Sequence, residues 1–328
     1  MNFKIIIDTC KLMKYNENAQ RKKKCDEKIV YFYKGESMEK TLENFVPKHS
    51  FLVCIDSDGC AFDVMEVKHK ECFCPATVND WDLQAVSRYA REAWEFVNLY
   101  SVYRGINRFL ALDKVLDLTG SREEVKRLTG FSMPDGSVLK KWIQSGEPLN
   151  NQSLEKHKAD SEYRKILNWS LDCNQRISDM VRGVPPFPYV RESLEKLAEY
   201  ADIVIVSATA TEALMREWSE HGLLPLVSAI CGQEVGSKVQ CIEKVKQSYE
   251  ASHCLMIGDA PGDGQAAKKN GILFYPICPL KETESWKQFY VQTLDWFLNG
   301  QYAGEHERQV IDQFEKILPK TPTWRTQI

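Results

Sequence analysis

"FLVCIDSDGCAFD", Phe51 to Asp63, is the stretch on which the reading of this chain turns. Its first part, Phe51 to Ile55, is an unbroken apolar run, the pattern of a strand covered on both faces. The run delivers two aspartates, Asp56 and Asp58, to a turn closed by Gly59. Two carboxylates this close at the end of a buried strand repel each other and lose their water. A divalent cation removes that conflict. A bare D-x-D pair also occurs in solvated turns, so its meaning depends on the rest of the chain.

Downstream, after the proline-rich "GVPPFP" (Gly183 to Pro188), short apolar strands alternate with amphipathic helices. Helix "YVRESLEKLAEY" runs into strand "ADIVIVSAT", then helix "TEALMREWSEHG" and strand "VSAICG". Helix "KVQCIEKVKQSYE", strand "HCLMIGD", helix "GDGQAAKKNG" and strand "ILFYPI" follow. This alternation predicts an α/β fold with a doubly wound, Rossmann-like parallel sheet, to which the strand at Phe51 also belongs.

Between Lys68 and Val184 the period is helical. Leu83, Val86, Tyr89, Ala90, Ala93, Trp94 and Val97 recur at three- and four-residue steps. "SREEVKRLTG" starts with Ser121 and has Glu124 three residues on, a capping-box pattern, and Gly130 would stop that helix. "SVLKKWIQSG" and "EYRKILNWSLDCNQRISDMVRG" supply more helices. An all-helical block is thus inserted into one α/β unit. The expected division is an extension at 1–37, a core of 38–67 and 183–328, and a helical insertion at 68–182. The first segment holds the charge run "RKKKCDEK" and a possible strand "KIVYFYKG"; Met38 would serve as a start, so 1–37 could be disordered. "EKTLENFVPKHS" reads as a short helix or as a lead-in to the Phe51 strand.

Ligands of parallel sheets bind beyond the carboxyl ends of the strands. Those ends carry a coherent set. The first gives Asp56 and Asp58; "IVIV" ends in Ser207, with Ala208 and Thr209 next; "CLMIG" ends in Asp259, with Asp263 four residues on. Lys238 opens the helix after "CGQEVGS". Each residue has a plain alternative as a helix cap or first-turn surface group. Taken together they place carboxylate, hydroxyl and carboxylate on one edge beside a lysine, which capping alone does not explain.

The set resembles the haloacid dehalogenase (HAD) superfamily. "IDSDG" looks like its first motif, "IVIVSAT" its second, Lys238 its third and "IGDAPGD" its fourth. The helical insertion resembles the family's C1-type cap, though it is longer than a four-helix cap. The resemblance implies that Asp56 is a nucleophile attacking phosphorus, and that Asp58 protonates the leaving oxygen and later activates water. It implies that Ser207 binds a phosphoryl oxygen and Lys238 neutralises charge on Asp56 and the phosphoryl group. Mg²⁺ would be held by Asp56, the Asp58 backbone carbonyl and Asp259, with Asp263 supporting the metal shell or Lys238. A second aspartate at position 58 points to a phosphomonoesterase, with a phosphomutase of the β-phosphoglucomutase type as the alternative. A non-catalytic binding protein on a degenerate core fits the intact acidic, serine and lysine set less well.

The substrate expected is a small phosphorylated metabolite, chosen by the insertion. Thr209 and, in "SVYRGINRF", Arg104 and Arg108 are candidate binding residues. The two arginines share a helix face if the helix runs through Gly105, and the plain reading makes them salt-bridged surface groups. Trp81, Trp94, Trp142 and Trp169 read as packing of the insertion.

Composition limits the remaining classes. The chain has 328 residues, 43% hydrophobic and 27% charged, with net charge −3, which gives no case for a nucleic-acid partner. No run is long enough to span a membrane. The 11 cysteines show no framework spacing, and Cys54, Cys231, Cys254 and Cys278 sit in apolar runs, which suits a reducing cytoplasm. His69 with Cys72 and Cys74 has no second pair downstream and reads as structural rather than metal-binding.

Overall fold

The computed structural model describes residues 40–325. The expectations for 1–37 lie outside the described residues.

Five strands form one parallel sheet: β1 (Phe51–Ile55), β2 (Ala201–Val206), β3 (Ala229–Cys231), β4 (Cys254–Gly258) and β5 (Leu273–Pro276). Their order is β3-β2-β1-β4-β5. β1 is central and in register with both neighbours, Ile55 opposite Ile205 and Ile257. The chain leaves β1 towards β2 and β3, then returns to the other side for β4 and β5. The order therefore reverses beside β1, where a doubly wound sheet opens a crevice at its carboxyl edge. This is the α/β architecture expected from the alternating pattern.

Alternate residues of the strands feed two cores. Val53, Ile55, Ile203, Ile205, Leu255 and Ile257 pack against Leu194, Trp218, Trp286 and Phe289. Leu52, Cys54, Val204, Val206, Cys254 and Met256 pack against Ile242, Val245 and Ala267. Both faces are dry, which is why the strands read as continuous apolar runs. Each fully buried Val, Leu or Ile contributes roughly 1.5–3 kcal/mol, so a strand has little freedom to shift its carboxyl end.

Between β1 and β2 the described residues hold helices, turns and two isolated bridges, Asp58 to Phe62 and Phe62 to Pro186, but no strand. A helix enters as Met65–Val67, widens through a π turn at Lys68–Phe73 and continues as Cys74–Asp80. Helices Ser87–Asn98, Arg108–Gly120, Ser137–Gln144 and Ser161–Met180 follow. A third apolar cluster ties them together around Trp81, Trp94, Trp142 and Trp169, all at most 2% exposed. The entry and exit of this block lie side by side, with Phe187 N donating to Ala61 O at 3.0 Å.

The lead-in to β1 holds a short 3₁₀ turn, Leu42–Asn44. Two local expectations fail. Ser121 is no capping-box residue: its Oγ donates to Leu118 O at 2.9 Å and closes the preceding helix, so the next one starts at Glu123 with Arg122 before it. Gly130 (φ +77°) lies in a turn beyond Lys126, where that helix has already ended.

The segment after β5 covers the sheet edge. Phe274 N donates to a Glu307 carboxylate at 2.9 Å, and Tyr302 Oη donates to Phe274 O at 2.6 Å, so edge groups that would face water are paired. The tail then crosses to the helical block. Val102 N donates to Pro319 O at 3.2 Å, and Trp324 packs on Phe96 with the Arg122 guanidinium 4.3 Å from its ring centre.

Candidate active site

Asp56 follows β1 directly. Its backbone N–H continues the ladder to Ile257 O at 3.0 Å, which fixes where the side chain begins. Asp56 is 6% exposed; its Oδ1 accepts from Ser57 N at 2.8 Å and Oδ2 from Lys238 Nζ at 2.6 Å. Lys238 is the first residue of helix Lys238–Val245, whose capping box of Ser237 and Gln240 sets its start. The same ammonium reaches Asp263 Oδ1, while Asp263 Oδ2 accepts from Ala260 N at 3.1 Å. Asp263 is thereby placed beside Lys238.

Asp259 ends β4 and is 1% exposed. One carboxylate oxygen each from Asp56, Asp259 and Asp263 fall within 4.8 Å of one another. Burial pushes Asp56 and Asp259 up to about 6 and raises Asp263 as well, against the pull of Lys238 and, for Asp259, of Arg104. Lys238 itself is raised: burial opposes its charge, but Asp263 and Asp56 outweigh that. Three buried acids beside one lysine and one arginine leave uncompensated negative charge, and Asp259 Oδ1 is buried without a hydrogen-bond partner. Hard oxygen donors in this arrangement fit a divalent cation.

Asp58 behaves differently. Its carboxylate turns away from that cluster: Oδ1 accepts from Lys68 Nζ at 2.7 Å and Oδ2 from Thr209 Oγ1 at 2.9 Å. Lys68 also reaches Glu217 Oε1 at 3.1 Å. Burial works against the Lys68 ammonium, but Asp58 and Glu217 outweigh it and its pKa is raised. Gly59 makes the turn possible. It sits at φ +73°, and a Cβ there would lie 2.5–2.6 Å from Arg104, Met65 and Asp259. Ser207 follows β2 and is 4% exposed; its Oγ accepts from Thr209 N at 3.3 Å.

The arginines depart from the shared helix face and from the surface salt-bridge reading. The helix does not run through Gly105; the chain turns there (φ +75°), and the next helix begins at Arg108 with Asn107 as its cap. Neither residue is a surface salt-bridge group. Arg104 is 4% exposed and donates from Nε to Asp259 Oδ2 at 2.7 Å and from Nη1 to Leu99 O at 2.9 Å. Arg108 donates from Nη1 to Asn174 Oδ1 at 2.7 Å and to Ser170 O and Oγ, and stands 5.0 Å from the Phe73 ring centre. The turn bearing Arg104 seats directly on the core: a Cβ at Gly105 would lie 2.7 Å from Ala260 Cβ.

These residues open on one cavity of about 810 Å³. Asp56, Asp58, Ser207, Thr209, Lys238 and Asp259 line its floor, and Phe73, Trp94, Arg108, Asn151 and Asn174 come from the helical block. His69 also faces it. Its Nδ1 accepts from Trp94 Nε1 at 3.2 Å, and burial, with the Arg104 charge nearby, drives its pKa down to about 3. Cys72 and Cys74 are buried in the packing.

A family of haloacid dehalogenase-like hydrolases matches residues 123–277, which takes in Ser207, Lys238, Asp259 and Asp263. Over that span, a little under half of the chain, the sequence is similar to haloacid dehalogenase-like hydrolases. The matched span begins after Asp56 and Asp58, which the sheet brings beside it. No curated protein sequence matches this one. Among solved structures, it is similar to a candidate phosphoglycolate phosphatase of Lactobacillus delbrueckii at 13% identity, over 75% of this chain and 100% of that one, TM-score 0.46. A haloacid dehalogenase-like protein of Streptococcus pneumoniae aligns at 14% identity over 75% and 98% of the two chains, TM-score 0.40. A candidate β-phosphoglucomutase of Thermotoga maritima aligns at 14% over 69% and 84%, TM-score 0.34. Likenesses this distant do not bear on chemistry.

Lys68 and Glu217 escaped the sequence reading. A signal existed: Met65, Lys68 and Cys72 share one helical face, as do Leu214, Glu217 and Trp218, so each pattern puts one charge among apolar neighbours.

Proposed function

We propose that this chain is a haloacid dehalogenase-like, Mg²⁺-dependent phosphomonoester hydrolase acting through an aspartyl-phosphate on Asp56. The observation that carries the reading is Asp56 itself: buried at a strand end, bound by Lys238, facing the cavity with Asp58 beside it. A carboxylate oxygen of Asp56 forms the new bond to phosphorus as the ester P–O bond breaks, and the departing oxygen takes a proton from Asp58. Water then gives its proton to Asp58 and attacks the same phosphorus; the Asp56–phosphorus bond breaks and inorganic phosphate leaves. Lys238 holds charge on Asp56 and the phosphoryl oxygens, and Ser207 donates to one of them. Asp56 and Asp259, with the Asp58 carbonyl, would hold the cation, which supplies further neutralisation of the phosphoryl charge.

We assign residues 38–67 and 183–328 to the catalytic core and 68–182 to a cap that excludes water and selects the substrate. Arg108 supports a finer reading of that substrate. It lines the cavity, burial lowers its pKa, and among the described residues it has only neutral acceptors and an aromatic face. A cation so placed suits a second anionic group on a small phosphorylated metabolite. No helix among the described residues is long and apolar enough to cross a membrane. The nine described cysteines are free, which supports the cytoplasmic reading.

A phosphate-release screen with Mg²⁺ over phosphorylated metabolites tests the function. Compounds with a carboxylate or second phosphate should be preferred over neutral analogues, and Arg108→Ala should lower that preference by about 10–100-fold. No release from any compound would refute the hydrolase reading; isomerised sugar phosphate as the sole product would replace it with a mutase.

A further inference from the structure

We propose that Lys68, anchored by Glu217, is the positioning residue that sets Asp58 for proton transfer to the leaving group. The proposal rests on Asp58 acting as the acid–base group.

Lys68 starts the π turn in the first helix of the block, and such widened turns commonly mark functional positions. Its side chain is 5% exposed, and Nζ lies between two carboxylates, 2.7 Å from Asp58 Oδ1 and 3.1 Å from Glu217 Oε1. The hydroxyl of Thr209 takes the other oxygen of Asp58. Asp58 is therefore gripped at both oxygens and held off the acidic cluster formed by Asp56, Asp259 and Asp263. Without the ammonium, its carboxylate would be free to swing between the cluster and the leaving-group side of the cavity.

Glu217 has no reason in packing to be charged. It sits in helix Thr211–Glu220 beside Leu214 and Trp218, its side chain is 7% exposed, and Oε2 has no partner. A buried carboxylate is costly unless paired, and the only cation hydrogen-bonded to it among the described residues is Lys68. Its effect is to hold the lysine on the core side. The positioning arm thus comes from the helical block and is caught by the core, so Asp58 is fully set only when the block is seated.

A residue that aligns a general acid shows itself through the leaving group. An alkoxide needs the proton of Asp58 as the P–O bond breaks; a nitrophenolate departs nearly as well without it. The test compares kcat/KM, which reports steps through leaving-group departure, for glycerol 2-phosphate and p-nitrophenyl phosphate. Lys68→Met should lose about 30-fold or more on the alkyl ester and under about 3-fold on the aryl ester, part of the roughly 10²–10⁴ that acid–base catalysis supplies. Glu217→Gln should show the same bias more weakly, and Lys68→Arg should recover most of the alkyl rate. Equal losses on both esters, or no loss, would overturn the proposal, because a structural role does not distinguish leaving groups. Asp58→Asn is the control. If it shows the alkyl bias and Lys68→Met does not, only the Lys68 proposal falls; if it shows none, the reading of Asp58 falls and takes this proposal with it. Should Lys68→Met fail to give a native circular-dichroism spectrum, Lys68→Met/Glu217→Gln carries the same comparison without the stranded buried charge.

Discussion

Two regions face each other across the cavity: the carboxyl ends of β1, β2 and β4, and the block segments around Lys68 and Arg104–Arg108. The strand ends are rigid because each strand is dry on both faces, so Asp56, Ser207 and Asp259 occupy places set by backbone register. The block reaches the site through a turn and a widened helix, and its ion pairs with the core there are few, Lys68 to Asp58 and Glu217 and Arg104 to Asp259. The strand ends are held by the dry sheet, the block's side of the site by these few ion pairs and a smaller apolar contact through Cys72 and Val181. On the proposed function the first carries the chemistry and the second the selection, and a movement of the block would reach the chemistry through Lys68 and Asp58.

The sharpest way to break this contrast is Asp56→Asn. Turnover should fall by about 10⁴-fold or more, as expected for loss of a covalent nucleophile, while the fold persists because β1 is unchanged. Retained turnover would move the chemistry away from the strand ends.

The cation site gives the next largest effect. Mg²⁺ at about 100 times its Kd should stabilise the parent by about 2.7 kcal/mol, raising Tm by several degrees. Asp259→Asn should abolish most of that rise, read by calorimetry without substrate. An undiminished rise would show that the cation binds elsewhere.

A smaller effect probes how the block is held. Trp324→Ala removes the tail's packing on Phe96 and Arg122 and should cost about 1–2 kcal/mol, seen as a lower Tm. An unchanged Tm would leave the Lys68 and Arg104 pairs as the tie that matters.

The smallest effect concerns His69. Its folded pKa, about 3, lies below the unfolded value near 6.5, so the unfolded chain takes the proton first. Its contribution is present above pH 6.5 and is lost as pH falls towards 3. Between pH 7 and 5.5 the parent should lose about 1 kcal/mol more than His69→Phe in denaturant unfolding. Parallel losses would mean that His69 is solvated, and that the block's inner face is wetter than its aromatic packing implies.

The strand-end residues were legible because their signal is local. An apolar run that stops at a polar residue states both that a buried strand ends there and that its last side chain faces the crevice, and this holds for Asp56, Ser207 and Asp259 alike. Lys238 was legible as the first residue of a helix opening on the same edge. Arg104 was not. Spacing placed it on a helix with Arg108, whereas Gly105 at φ +75° breaks that helix and sends Arg104 to a carboxylate 155 residues away. The split between Asp58 and the acidic cluster was likewise invisible, since it depends on Lys68 and Thr209 arriving from different elements. Sequence alone determined the alternation, the parallel sheet and the acids at its edge, because burial period and strand ends are written residue by residue. Only the tertiary structure decided which cation meets which carboxylate, because a buried charge takes whatever opposite charge the packing brings within reach.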